Sequence, residues 1–220
     1  MNDYIKEVVI VGAVRTPIGA FKGSLKNIRS DKLGSLVIKG VLNKSNFSKE
    51  EIDEVILGQV LTAGNGQNPA RQASIKAGIP VSKPAYLINQ VCGSGLRAVI
   101  LGYQSIKLGE AKNVISGGQE NMSIAPHSIF YREKKVISEK KLLDTMLNDG
   151  LIDAFKNYHM GVTAENVATK FQVTREDQDN FALKSQEKAL KAQKENKFNK
   201  EIVNFKIKSK KAEINFNKDE

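Results

Sequence analysis

Cysteine occurs once in these 220 residues and histidine twice. A single cysteine excludes an internal disulfide and suits a reducing compartment. His127 and His159 are the only imidazoles, the sequence shows no zinc spacing, and no metal is expected. No stretch approaches the roughly 20 apolar residues of a membrane span. The run Val8-Val9-Ile10-Val11-Gly12 is too short and too acidic-flanked for a secretory signal, and it reads as a buried strand. A cytoplasmic location is therefore the expectation. Aromatic residues make up only 6% of the chain, with no stacking platform and no recognition-helix signature. The formal net charge of +10 is carried mostly by dispersed lysines, so it reads as solvated surface and not as a nucleic-acid footprint. Some positive potential would attract an anionic substrate. No internal repeat is visible.

With 40% hydrophobic residues the chain can bury a sizeable core, as one large domain or two small ones. Strand-like runs at Val8–Val14, Val55–Leu57, Tyr86–Ile88 and Asn113–Ser116 alternate with helical stretches near Asp31–Asn43, Pro69–Ala77 and Ser94–Leu108. This β-α-β-α-β-α-β order predicts an α/β layer whose central sheet is buried on both faces. Ser48-x-x-Glu51 reads as a capping box for a short helix before the second strand. The turn from Gly58 to Gly66 carries three glycines, but its spacing fits no P-loop and it reads as a plain loop. Residues 121–160 are polar and irregular. From Thr174, which pairs with Asp177 as a cap, an amphipathic helix shows one face through Phe181, Ala182, Ser185, Ala189 and Ala192. A weakly alternating strand follows over Glu201–Ile207.

The chemistry centres on Cys92, in Asn89-Gln90-Val91-Cys92-Gly93-Ser94-Gly95-Leu96-Arg97-Ala98. An apolar strand runs into it and a helix leaves it, so the thiol falls at or just before a helix N-terminus. Free N–H groups and partial positive charge there favour thiolate, the nucleophilic form. Gly93 and Gly95 would leave room for a second molecule to approach. The alternative is that Cys92 is a small buried apolar residue, the usual fate of a free cysteine.

Asn89-x-x-Cys92-x-Ser94-Gly95-x-x-Ala98 resembles the nucleophile motif of the thiolases. So do Ala13-Val14-Arg15-Thr16-Pro17-Ile18-Gly19, Gly66-Gln67-Asn68-Pro69-Ala70-Arg71-Gln72, and Gly117-Gly118-Gln119-Glu120-Asn121-Met122-Ser123. Tyr158-His159-Met160-Gly161, Thr163-Ala164-Glu165-Asn166-Val167-Ala168, Arg175-Glu176-x-Gln178-Asp179 and Ser185-Gln186-x-x-Ala189 continue the match in order, from about residue 5 to about residue 208. Asn204 departs from the family, which often has proline there. Gln119 and Asn121 depart from its smaller or apolar residues.

The resemblance implies a thiolase-like layered α/β fold, a mixed sheet flanked by helices with an inserted α-rich loop domain. Residues 1–120 would be the N-terminal α/β domain without its last strand, and residues 121–220 an incomplete loop domain. Thiolases have two similar halves. The second supplies a histidine in Gly-His-Pro, an asparagine in Asn-Glu-Ala-Phe and a cysteine in Cys-x-Gly, none of which occurs here. The expectation is an N-terminal half with one sheet edge unpaired and the face for the second half uncovered, features that favour a partner.

The implied activity is acetyl-CoA C-acetyltransferase: reversible condensation of two acetyl-CoA to acetoacetyl-CoA and coenzyme A through an acetyl-Cys92 intermediate. The coenzyme A thioester is substrate, and no cofactor is implied. By the same resemblance His159 lies beside the thioester and pantetheine end of coenzyme A. Met160 walls a small acyl group, and Leu151 contacts coenzyme A. His127 and Glu120 read as structural. Partners are acetyl-CoA or acetoacetyl-CoA and either a homo-oligomer, a tetramer in the full-length family, or a missing C-terminal half. The basic segment Arg132–Lys141 reads equally as an assembly and phosphate-attracting loop or as a solvated loop. The chain alone is expected to be inactive or partner-dependent, and the competing reading is a non-catalytic coenzyme A-binding or interaction remnant.

Overall fold

The computed structural model describes residues 7–132, 142–208 and 213–220. Lys134, Lys135, Lys140 and Lys141 of the basic segment lie outside them. The elements in chain order are α1 (Ser30–Ser45), β1 (Glu54–Gly58), α2 (Pro69–Ala77), β2 (Ala85–Ile88), α3 (Ser94–Leu108) and β3 (Val114–Gly118). They are followed by β4 (His127–Ser128), β5 (Leu143–Asp144), α4 (Thr145–Gly150), α5 (Met160–Phe171), α6 (Arg175–Lys194), β6 (Phe205–Lys208) and β7 (Glu213–Phe216).

The central sheet has the order β2-β1-β3 and is parallel throughout. β1 in the middle is the most deeply buried strand, with Val55, Ile56 and Leu57 at 2% exposure or less. Period-2 alternation divides its side chains between two layers. Val55 and Leu57 pack with Ile38 and Leu42 of α1 and with Ala70, Ala73 and Ala77 of α2. Ile56 points to the opposite face, where α3 lies against β1 and β3.

Local chemistry sets the helix ends. Pro69 opens α2 and the Asn68 side chain accepts from Arg71 N at 3.0 Å. Gly78 and Gly109 close α2 and α3 in left-handed conformation at φ 96° and 80°. The capping box forms at α6, where Thr174 and Asp177 exchange bonds. Ser48-x-x-Glu51 forms only half of such a box: Ser48 N donates to the Glu51 carboxylate at 2.8 Å, but Glu51 N donates to the Ser48 backbone carbonyl at 3.2 Å and not to its hydroxyl. Yet these residues form a turn and not the expected helix, because β1 begins at Glu54, too soon for a helix to propagate.

The expected strand over Val8–Val14 is also absent. The segment is extended, but Val9, Ile10 and Val11 are 63%, 79% and 61% exposed. It lies along α1, with Gly12 against Val41 and Lys44 Nζ donating to Ala13 O at 2.9 Å. Among the described residues no strand flanks it to complete a ladder, and the nearest pairing is a single parallel bridge from Arg15 to Ile202. A hydrophobic run specifies an extended conformation, but a strand also needs a neighbour.

Residues 201–205 and 216–220 return to residues 15–33. Arg15 holds Glu201 at 2.7 Å and Asp219 through two bonds of 2.6 and 3.0 Å. The Glu220 carboxylate accepts from Ala20 N and Ser24 N and from the Ser24 hydroxyl. Phe216 packs with Leu25 and Leu33, and meets Phe205 edge-on at 5.9 Å. The expected terminal strand over Glu201–Ile207 starts later, as β6, and pairs antiparallel with β7. α6 carries its apolar row outward, with Phe181 78% exposed.

Candidate active site at the head of the third helix

β2 ends at Ile88 and α3 starts at Ser94, so Cys92 sits two residues before the helix, as expected from the sequence. Its thiol is exposed, which excludes the alternative of a buried apolar residue. The turn is stapled by two side chains. Asn89 Oδ1 accepts from Val91 N at 2.9 Å. Ser94 Oγ accepts from Gln90 N at 2.8 Å and donates to Val91 O at 2.5 Å. Backbone bonds from Gly93 N to Gln90 O and from Ser94 N to Val91 O, both 3.1 Å, tighten it further. Val91 takes φ 48°, a left-handed conformation that a β-branched residue rarely adopts. The N-cap residue Gly93 offers α3 no side-chain bond, and the first helical N–H, that of Ser94, is taken by Val91 O.

Glycines seat this turn on the sheet. A methyl group on Gly58 would run into the backbone of Ser94 and Gly95. One on Gly118 would lie 3.5 Å from Gly95 Cα and 3.4 Å from Gly58 O. A methyl on Gly95 itself would meet Gly117 and Gly118 only at an ordinary 3.9 Å, so the close approach of turn to sheet depends on Gly58. Ser94 is 4% exposed in consequence.

The C-terminal end of the parallel sheet, where ligands bind in open α/β sheets, is crossed by a polar belt. Gln119 Nε2 donates to Gln59 Oε1 at 2.8 Å, and Gln59 Nε2 to Leu61 O at 2.7 Å. The Glu120 carboxylate accepts from Val60 N at 2.8 Å. Burial pushes this carboxyl above its ordinary value, against the pull of its backbone donors. Glu120 ties β3 to the loop after β1, in keeping with a structural role.

The residues from the second half of the chain form one cluster. Met160 N donates to Leu151 O at 2.9 Å, and Ile152 bridges His159 in antiparallel fashion. Leu151 and His159 thus close the two ends of the loop between α4 and α5, and Met160 is the first residue of α5. His159 is the N-cap of α5, its Nδ1 accepting from Gly161 N at 2.9 Å, which leaves Nε2 for other partners. This loop approaches the sheet where Gly150 meets Leu61, 3.6 Å from the Leu61 side chain to a Cβ built on Gly150. The Cys92 turn meets the end of the same strand at Gly58. Among the described residues no hydrogen bond or ion pair joins Cys92 to His159. His127 sits opposite Asp144 across β4 and β5, its Nε2 3.9 Å from the carboxylate, consistent with a structural role. Among the described residues no group of three His, Cys, Asp or Glu could hold a metal ion, and no helix is long and apolar enough to cross a membrane.

The family model described as "Thiolase, N-terminal domain" matches residues 8–220. This chain belongs to the thiolase family. It is 54% identical over 213 residues to an acetyl-CoA acetyltransferase of Rhizobium meliloti, covering 97% of this chain and 54% of that one. It is 52% identical over 212 residues to the cytosolic acetyl-CoA acetyltransferase of Rattus norvegicus, covering 96% and 53%. The crystal structure of the Bacillus anthracis acetyl-CoA acetyltransferase superposes with TM-score 0.92 at 37% identity, covering 96% of this chain and 54% of that one. The thiolase N-terminal fold expected from the sequence is thereby established, and the chain spans about half the length of the curated relatives it matches. Sequence reasoning gave Asn89 and Ser94 only as motif letters. Their roles in the turn become visible in their hydrogen bonds, and the signal was their fixed spacing around Cys92.

Proposed function

We propose that this chain carries the acyl-accepting half of an acetyl-CoA C-acetyltransferase. Cys92 thiolate attacks the carbonyl carbon of acetyl-CoA. The new carbon–sulfur bond forms as the bond to coenzyme A breaks, and the coenzyme A thiolate leaves to take a proton. The Cys92 N–H donates to the oxyanion of the tetrahedral intermediate. The α-carbanion of a second acetyl-CoA then attacks the acetyl group, giving acetoacetyl-CoA and returning Cys92. Exchange between thiol and thioester is nearly isoenergetic, which suits a reversible acyl-enzyme. His159 stands beside the thioester and pantetheine end of the substrate, Met160 walls the acyl group and Leu151 contacts coenzyme A. Residues 1–120 hold the nucleophile and residues 121–220 the coenzyme A wall. No cofactor is required, because the thioester is itself the activated substrate.

The observation that carries this reading is an exposed thiol on a stapled turn at the C-terminal end of a parallel sheet, within a thiolase N-terminal domain. No residue described beside Cys92 serves as its base, nor as the base for the α-proton. The absence of one positioned base lowers a rate by about 10²–10⁴. The chain by itself is therefore a slow acyl acceptor with little condensation activity, and it requires a partner, either further copies or the complementary thiolase half. One observation favours a second reading, a non-catalytic coenzyme A-binding or interaction module. α3 presents Leu96, Val99, Ile100, Tyr103 and Leu108 outward, with Leu96 69% and Leu108 75% exposed.

The test is intact mass after incubation with acetyl-CoA. The proposal expects one acetyl group, lost in Cys92→Ala, and negligible formation of acetoacetyl-CoA by the chain alone. If coenzyme A binds while Cys92 never acquires an acetyl group, with or without the complementary half, the second reading replaces the first. Turnover at an ordinary enzyme rate by the isolated chain would refute its dependence on a partner.

A further inference from the structure

Val91 is the one residue of the turn whose backbone is costly, since its branched side chain is held at φ 48°. Strain of this kind persists only where surrounding contacts over-determine it. Here those contacts are specific. Asn89 accepts from the N–H of Val91 and Ser94 donates to its carbonyl, so each end of the residue is gripped by a different side chain. Ser94 grips the preceding residue as well, through Gln90 N. It is buried and fixed in turn, because Gly58 of the central strand lies against its backbone. A chain of contacts therefore runs from the rigid sheet through Ser94 to Val91, and the next residue is Cys92.

We infer that Ser94 and Asn89 are positioning residues: they hold Val91 in its left-handed conformation and thereby set the Cys92 thiol at the head of α3. The inference deepens the proposed function and rests on Cys92 being the acyl acceptor. Neither residue touches the substrate. Without the Ser94 hydroxyl, Val91 relaxes toward an ordinary extended or helical conformation. That rotation swings the following Cα and carries the thiol away from the head of α3. Glycine at position 91 adopts positive φ without cost, so it removes the need for the grip.

The decisive experiment uses the whole chain, whose single cysteine makes alkylation by iodoacetamide specific for Cys92. Rates are measured below the melting range for the wild type, Ser94→Ala, Asn89→Ala, Val91→Gly and each alanine variant combined with Val91→Gly as a double variant, with melting temperatures alongside. Loss of a helix-terminus interaction predicts alkylation about fivefold slower in Ser94→Ala. Each double variant is expected to recover to within about twofold of the wild type. Exposed Asn89→Ala moves in the same direction and serves if Ser94→Ala does not fold. A merely structural role lowers the melting temperature and leaves the folded-state rate unchanged, which overturns the inference. So does a slow Ser94→Ala, or a slow Asn89→Ala, that Val91→Gly fails to rescue. Acetylation by acetyl-CoA is scored separately. A wild type that alkylates normally but never acetylates refutes the acyl-acceptor reading, while the alkylation series still decides the roles of Ser94 and Asn89.

Discussion

Substituting Gly58 by alanine tests the seat of the Cys92 turn. Gly58 ends β1, whose three preceding residues are at most 2% exposed, so the strand has no free direction in which to retreat. Its added methyl would lie 2.5 Å from Gly95 N and 2.6 Å from Ser94 Cβ, and closer still to Ser94 C. Two of these three atoms are backbone, so no rotamer change relieves the clash and α3 must lift off the sheet. Forcing an extra methyl into packed surroundings costs about 1–3 kcal/mol, occasionally more. For a chain of this size each kcal/mol lowers the melting temperature by roughly 2–4 °C. Thermal unfolding followed by circular dichroism should therefore place Gly58→Ala about 2–12 °C below the wild type. Gly117→Ala is the control, because a methyl there meets nothing within 4 Å and that residue has no positive φ. It should melt within about 2 °C of the wild type, given the small effect of open-site substitutions. Equal melting of Gly58→Ala and wild type, or equal losses in both variants, would refute the contact geometry at the head of α3.

Asp31 is fully buried, and its carboxylate takes Arg29 Nε at 2.9 Å and Lys76 Nζ of α2. Asp31→Ala should cost about 1.5–3 kcal/mol in urea unfolding, the range for a lost charge-assisted bond, since both cations still reach water. Asp219 titrates below its ordinary 3.8, held down first by its hydrogen bonds from Arg15. Its stabilising contribution is present above the unfolded-state value and is lost as pH falls through the lower folded value. Asp219→Asn should therefore flatten the fall in melting temperature below about pH 4. Glu120 has the opposite sign: its folded value lies above 4.5, so protonation favours the folded state and stability from this group declines as pH rises through that value. Glu120→Gln should remove that decline, and an unaltered stability profile above pH 4.5 would refute the assignment.

Much of the fold was legible because its signals are local. The boundaries of α2 and α3 follow from Pro69, Gly78 and Gly109, residues whose backbone preferences act within one turn. β1 was legible because both its faces are covered, so it reads as a continuous apolar run. Val8–Val14 reads almost identically and forms no strand, because pairing depends on what lies alongside and not on the run itself. The capping pair at Thr174 predicts its helix while the Ser48–Glu51 pair does not. The difference is the twenty helical residues after Thr174 and the five residues between Ser48 and β1. At the site, Cys92 was legible from its isolation and its motif. The closeness of Leu151 to Met160 was not, because it depends on a loop closing through backbone bonds that carry no sequence letter.

The return of residues 201–205 and 216–220 to residues 15–33 also imposes an order in time. The Arg15 guanidinium meets the Asp219 carboxylate across a separation of 204 residues. At about 5–20 residues per second of synthesis, roughly 10–40 s pass between the two ends of that clasp. Throughout that interval the loop from Ile18 to Ser24 lacks its bonds to Asp219 and Glu220 and is left with the one from Lys22 N to Ser123 Oγ. The helices and parallel strands of residues 30–118 draw on nearer partners and can assemble first. Residues 15–24, made before residues 30–118, thus complete their contacts after them.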